Sequence, residues 1–204
     1  MYPSIKNYVD QLAREFSDIP DTRKELLEKI SQYIAKKRVL NKPVNLIYIC
    51  THNSRRSHFG QIWSAVAASY YGIKNIHTFS GGTEATAFNI NAIRSLEKIG
   101  FIIKTDKSEL NPHYQVKFDD TQSSLICFSK TFDNEQNPNT EFAAIMTCSD
   151  AEENCPFIPG VEFRIGTTYE DPKLFDNTPQ QDTKYDERCA QIARETIYVF
   201  SKLN

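Results

Sequence analysis

Residues 44–57 carry the most chemistry of any stretch in the chain. The apolar, β-branched run Val44-Asn45-Leu46-Ile47-Tyr48-Ile49 ends on Cys50, and after five more residues come Arg56 and Ser57. This pattern predicts a strand, a tight loop and a helix start, with a nucleophilic thiol at the strand end. The successive backbone N–H groups of Thr51, His52, Asn53, Ser54, Arg55, Arg56 and Ser57 can converge as a nest that meets the positive end of the helix dipole. Such a cradle suits a tetrahedral oxyanion, and the planar fork of Arg56 suits clamping it. The same field favours the thiolate form of Cys50, the form that attacks phosphorus or arsenic.

A second group of thiols follows another apolar run, residues 142–147. Cys148-Ser149-Asp150-Ala151-Glu152-Glu153-Asn154-Cys155-Pro156 places six residues between two cysteines. That spacing suits a mobile loop able to close into a disulfide. Cys127 and Cys189 read as structural, because a cysteine in an apolar run is ordinarily a small core hydrophobe. No Cys-x-x-Cys or His-x-x-x-His spacing occurs among five Cys and four His, which argues against a zinc site and for free or redox-active thiols. No metal or cofactor is expected.

These groups must be held by a scaffold, and the hydrophobic periodicity outlines one. Residues 4–40 read as two amphipathic helices broken at Pro20-Asp21, with Asp21 as a candidate cap for the second. From Pro43 the pattern alternates: strand 45–50, helix 56–71 ending near Gly72, strand 75–80 into Gly81-Gly82, and helix 89–98 ending at Gly100. Strands at 142–147 and 161–165 and a long helix over 183–202 complete it. Alternating strands and helices predict an open parallel sheet flanked by helices, an α/β fold whose ligands sit beyond the carboxyl ends of the strands. Cys50 and Cys148 both fall at such ends. The expected organisation is an N-terminal helical extension over 1–42 and an α/β domain over 43–204. An insertion at about 112–141 reads as a β-hairpin of strand-like runs 114–118 and 125–128, trailed by a polar loop over 133–140. The bland reading of the extension, a covering helical hairpin, is preferred to a dimerisation element.

Bulk properties narrow the partners. A net charge of −2 and a pI near 6.1 over 204 residues argue against general binding to nucleic acid or acidic membranes. Any anion site is therefore local, as the cluster His52, Arg55, Arg56 and His58 would be. The opening residues carry no secretory apolar core, and no run nears the roughly 18 apolar residues of a membrane span, so a cytoplasmic protein is expected.

At this point the motifs resemble a known family. Cys50-x5-Arg56-Ser57 resembles the phosphate-binding loop of low-molecular-weight protein tyrosine phosphatases, whose sheet is flavodoxin-like. Within that superfamily, Cys50-Thr51-x-Asn53-Ser54-x-Arg56-Ser57 followed by Cys148-Ser149-Asp150-Ala151-x3-Cys155-Pro156 resembles thioredoxin-coupled arsenate reductases. Asp171-Pro172 stands where both groups carry their general acid, and Ser80-Gly81-Gly82-Thr83-Glu84 resembles the segment after their second strand. The resemblance spans roughly residues 44–110 and 142–204. His52 departs from the family's usual glycine at a tight bend, Arg55 from a frequent cysteine, and Lys173 from the tyrosine common in the phosphatases.

The resemblance implies an enzyme that reduces arsenate. Cys50 attacks arsenic, Arg56 and the loop amides stabilise the oxygens, Ser57 supports the thiolate and Asp171 protonates the departing oxygen. Cys148 then attacks the Cys50 sulfur, Cys155 resolves that disulfide to Cys148–Cys155, and thioredoxin reduces it. The alternative is a phosphatase acting on phosphotyrosine or small phosphomonoesters, which needs only Cys50, Arg56 and Asp171. A non-catalytic oxyanion binder is the third reading.

Overall fold

The computed structural model of the protein describes residues 1–105, 109–154 and 157–203. Its elements in chain order are α1 (Pro3–Arg14), α2 (Asp21–Val39), β1 (Val44–Cys50), α3 (Arg56–Tyr70), β2 (Ile76–Gly82), α4 (Ile90–Ile99), β3 (Ile102–Lys104), β4 (Tyr114–Lys117) and β5 (Leu125–Cys127), then β6 (Phe142–Met146), α5 (Ser149–Asn154), β7 (Val161–Gly166) and α6 (Gln181–Ser201). Four strands form one parallel sheet in the order β2-β1-β6-β7. The chain leaves β1 toward β2 on one side and later returns on the other to build β6 and β7. The order therefore reverses beside β1, and the crevice that this reversal opens at the carboxyl ends is where such folds bind ligands.

Alternation along β1 explains why it is central. Val44, Leu46 and Tyr48 join the larger core beneath α3 and α6, while Ile47 and Ile49 join Phe142, Ala144 and Met146 in a second core on the other face. A strand apolar on both faces has to be buried on both. Helix α3 lies close on the sheet, where a Cβ at Gly60 would run into the Tyr48 ring. Its Phe59, Ile62, Trp63, Val66 and Ala67 are all fully buried, as the periodicity predicts. The register sets Cys50 opposite Gly82, and Thr147, the residue after β6, donates its N–H to the Ile49 carbonyl at 2.7 Å. Cys50 and Cys148 thus leave the sheet as neighbours.

The two N-terminal helices add their apolar faces to the same larger core: Ile5, Val9 and Leu12 from α1, Leu27, Ile30 and Ile34 from α2. Both pack on α6. Asp21 is not the expected cap of α2; the N-cap is Pro20, and the Asp21 carboxylate pairs with Lys24 one turn on.

The expected hairpin is present as β4 and β5, and it gains a third strand that the sequence pattern does not reveal. β3 pairs antiparallel with β4 to give a sheet in the order β3-β4-β5. Three residues are too few for a period to show, and an isolated two-stranded hairpin is only marginally stable in water. Among the described residues no helix is long and apolar enough to cross a membrane.

Candidate active site

The loop after β1 spends its carbonyls outward and keeps its amides. The Cys50 carbonyl accepts from Thr83 N–H, Thr51 from Glu84 N–H, Ser54 from Asn89 N–H, and His52 from the hydroxyls of Thr86 and Ser129. Among the described residues, no group accepts a hydrogen bond from the backbone N–H of residues 51–57. Buried backbone donors in native proteins are nearly always paired, and five of these seven residues, 53–57, are buried, so the run suits an acceptor from outside. The last of these amides open α3, at the positive end of its dipole.

The bend that makes this shape is at Asn53, with φ +43°, rather than at His52, where the resemblance puts the glycine. Asparagine enters the left-handed region at lower cost than most residues. Its side chain, fully buried, also orders the hydrogens around the nucleophile. The backbone N–H of Lys130 donates to Asn53 Oδ1 at 2.9 Å, which leaves Asn53 Nδ2 to donate to Ser57 Oγ at 2.8 Å. Ser57 Oγ then accepts on that side and lies 3.1 Å from Cys50 Sγ, with its own hydrogen free to be donated to the sulfur.

Arg56 and Asp171 face each other across the crevice. Arg56 Nη1 donates to the Tyr169 carbonyl at 2.8 Å and Nη2 to Asp171 Oδ2 at 2.6 Å, while its Nε is buried and has no acceptor among the described residues. Asp171 caps the 3-10 turn Pro172–Phe175 by accepting from Lys173 N–H at 3.0 Å. Cys148 sits 3.4 Å from Thr51 Oγ1 and accepts from Ala151 N–H at the same distance. Thr51 Oγ1 also donates to Asp150 at 2.6 Å, which ties the loop to the start of α5. The structure brings Cys50, Arg56, Asp171 and Cys148 to one end of the sheet; Cys155 lies outside the described residues.

Two expectations change. The stretch after Cys148 is a helix, not a mobile loop: Ala151, Glu152 and Glu153 favour it, and Asp150 and Glu152 suit the positive end of its dipole. The local anion cluster is smaller than the four residues named for it. His58 is buried against Phe88 with its Nδ1 3.2 Å from Ser80 Oγ, and burial holds its pKa well below the usual histidine range, so it is neutral at pH 7. The Arg55 guanidinium is turned to Tyr185, to which its Nε donates at 2.7 Å, leaving the backbone N–H to face an oxyanion. Cys127 and Cys189 are structural as expected, each thiol pushed up to about 12 by burial.

Sequence reasoning missed the contribution of the insertion. Ser129 and Lys130, just past β5, hold His52 and Asn53 from behind, and the Gly82 N–H donates to the Lys130 carbonyl at 2.9 Å. Nothing local in Phe128-Ser129-Lys130 signals this. Gly82, in contrast, was singled out and has a clear constraint. A Cβ there would lie 2.6 Å from the Thr51 carbonyl and 2.7 Å from Asn53 N, both backbone atoms of the loop. Gly82→Ala is therefore expected to displace the loop and cost about 100-fold in turnover, the scale of a misplacement near 1 Å. Steady-state kinetics together with a thermal melt would separate this from global unfolding.

No family model matches the chain. Arsenate reductase 2 of Staphylococcus epidermidis is 26% identical over 127 residues, covering 62% of this chain and 77% of that protein. A low-molecular-weight protein tyrosine phosphatase from T. tengcongensis superposes with a TM-score of 0.53 at 14% identity, over 78% of this chain and 99% of that one. An arsenate reductase from Archaeoglobus fulgidus gives a TM-score of 0.50 at 16% identity, over 76% and 98%. The fold is the one shared by low-molecular-weight phosphatases and arsenate reductases, and the related sequences are arsenate reductases, as the motifs imply.

Proposed function

We propose that this chain reduces arsenate to arsenite with Cys50 as nucleophile, Cys148 and Cys155 as a disulfide relay, and thioredoxin as the reductant. The observation that carries the reading is the loop itself: unspent backbone donors, an unpartnered buried Arg56 Nε and a donor-supported Cys50, all at one point, with a second thiol beside them. A tetrahedral oxyanion seated there would accept from the amides and from Arg56. The Cys50 thiolate attacks arsenic, forming an As–S bond, while Asp171 gives a proton to the departing oxygen, which leaves as water. The amides and Arg56 stabilise charge on the remaining oxygens. Cys148 then attacks Cys50 Sγ; an S–S bond forms, the As–S electron pair passes to arsenic, and arsenite leaves. Cys155 attacks Cys148, which frees Cys50 as thiolate. A dithiol of the thioredoxin class reduces the Cys148–Cys155 disulfide and restores both thiols.

The second reading is a phosphatase working with Cys50, Arg56 and Asp171 alone. It is favoured by the direct Arg56–Asp171 pairing at 2.6 Å, which sets the anion clamp and the acid together without calling on Cys148 or Cys155. Arsenate-dependent NADPH oxidation in the presence of thioredoxin and thioredoxin reductase tests the proposal. Continuous turnover supports the relay. Hydrolysis of an aryl phosphate with no arsenate-dependent oxidation would establish the phosphatase instead.

A further inference from the structure

Arg55 is charged, buried and in the oxyanion loop, yet its guanidinium is directed to the turn that carries Asp171. Its Nε donates to Tyr185 Oη at 2.7 Å and lies 3.9 Å from Asp171 Oδ1, and its Nη2 is 3.6 Å from Asp176 Oδ2. Tyr185, fully buried on α6, donates in turn to Asp176 Oδ1 at 2.7 Å. Its pKa is pushed up to about 12, by burial first and then by the hydrogen bond to Asp176, so it stays a neutral donor. Asp171 and Asp176 flank the two ends of the single 3-10 turn Pro172–Phe175. One guanidinium thus faces both ends of the segment that must present the acid.

We propose that Arg55, with Tyr185 and Asp176, is a positioning residue that holds the Asp171 turn in register with the oxyanion loop; this rests on the functional reading above. The need for such a clamp follows from what substrate does. Asp171 is held by Arg56, but an oxyanion seated on the loop would compete for the Arg56 fork, and Asp171 must keep its place without it. Arg55 sits on the same loop and is already engaged, so it stays when Arg56 turns. Its charge is balanced by Asp176, so the clamp fixes position without adding a net charge beside the acid. An arginine reaches two carboxylates and a phenol at once through its planar fork, which the smaller side chain of a cysteine at this position could not do.

The test is a double-mutant cycle on the intact protein, reading single-turnover rate and KM with arsenate, or with an aryl phosphate if that is the compound turned over. Asp171→Asn is expected to lose about 100-fold in rate. Arg55→Gln and Tyr185→Phe are each expected to lose about 10-fold in rate with KM changed less than about 2-fold. Tyr185→Phe keeps the buried ring, so it checks the clamp should Arg55→Gln fold poorly. The decisive result is the double variant Arg55→Gln/Asp171→Asn, expected within about 2-fold of Asp171→Asn alone, because Arg55 has nothing left to position. Multiplying losses would overturn the proposal, as would an Arg55→Gln variant with raised KM and unchanged rate, the mark of a direct oxyanion ligand. A wild-type protein inert to arsenate and aryl phosphate alike would overturn the functional reading, and the clamp with it.

Discussion

Cys148→Ser is expected to yield a protein that reacts once with arsenate and then stops. Under the proposed relay, Cys50 and Asp171 are untouched in this variant, so the first As–S bond forms at a near-normal rate. The hydroxyl that replaces the thiol cannot take the Cys50 sulfur, and arsenic stays at the +5 level on the protein. Multiple turnover in the thioredoxin-coupled assay should fall by at least about 1,000-fold, comparable with removing a covalent catalyst. Three other thiols remain: Cys155, whose part in the proposed relay is to attack Cys148 and not Cys50, and Cys127 and Cys189, which cannot substitute. Cys127 and Cys189 are fully buried with pKa values near 12, so at neutral pH almost none is thiolate, and Cys189 is further engaged by Trp63 Nε1 at 3.3 Å. A rapid-quench measurement of arsenite released per protein should give no burst in Cys148→Ser. In Cys155→Ser it should give one equivalent, since that variant completes reduction but cannot free Cys50. Unchanged steady turnover in both would eliminate the relay. An aryl-phosphate hydrolysis rate that ignores either substitution would then identify a phosphatase with two incidental thiols.

The sequence carries the parts of this site that lie within one strand–loop–helix unit. The apolar run into Cys50 specifies β1, and the residue types from Thr51 to Ser57 specify an anion loop, because each acts through its own backbone or over a few positions. What is not legible is whatever depends on a partner far along the chain. Asn53 reads as a loop-former, but only Lys130, 77 residues later, fixes which way its amide faces and so where the Ser57 hydrogen goes. Arg55 reads as an extra cation for the substrate, and only Tyr185 and Asp176 reveal that its charge is already engaged. The α5 helix is not legible for a different reason: six residues are too few for periodicity to show, and the cysteines on either side of it, Cys148 and Cys155, draw attention to a loop. Gly82 shows the favourable case, since Gly81-Gly82 after a strand already marks a close backbone approach, which the structure traces to Thr51 and Asn53.

Arg56→Lys keeps the positive charge and should nonetheless lose most of the activity. The guanidinium has three roles on separate nitrogens: Nη1 holds the Tyr169 carbonyl, Nη2 holds Asp171, and Nε is buried with no acceptor beside the loop amides. An ammonium is a single point on a flexible stem and cannot serve all three directions. Nε has no acceptor among the described residues, and an oxyanion seated on the loop amides would supply one. The arginine therefore contributes to binding as well as to transition-state charge. Arg56→Lys is expected to lower the rate by about 100- to 1,000-fold, the scale of removing one oxyanion donor. Affinity should fall too, and a measurement without turnover reads it. Inorganic phosphate at about 100 times its Kd should stabilise the wild type by about 2.7 kcal/mol, seen as a rise in Tm. Arg56→Lys should lose most of that rise while melting, without phosphate, close to the wild type. A phosphate-dependent rise that survives in Arg56→Lys would place the anion on the loop amides alone and reduce Arg56 to a tether for Asp171.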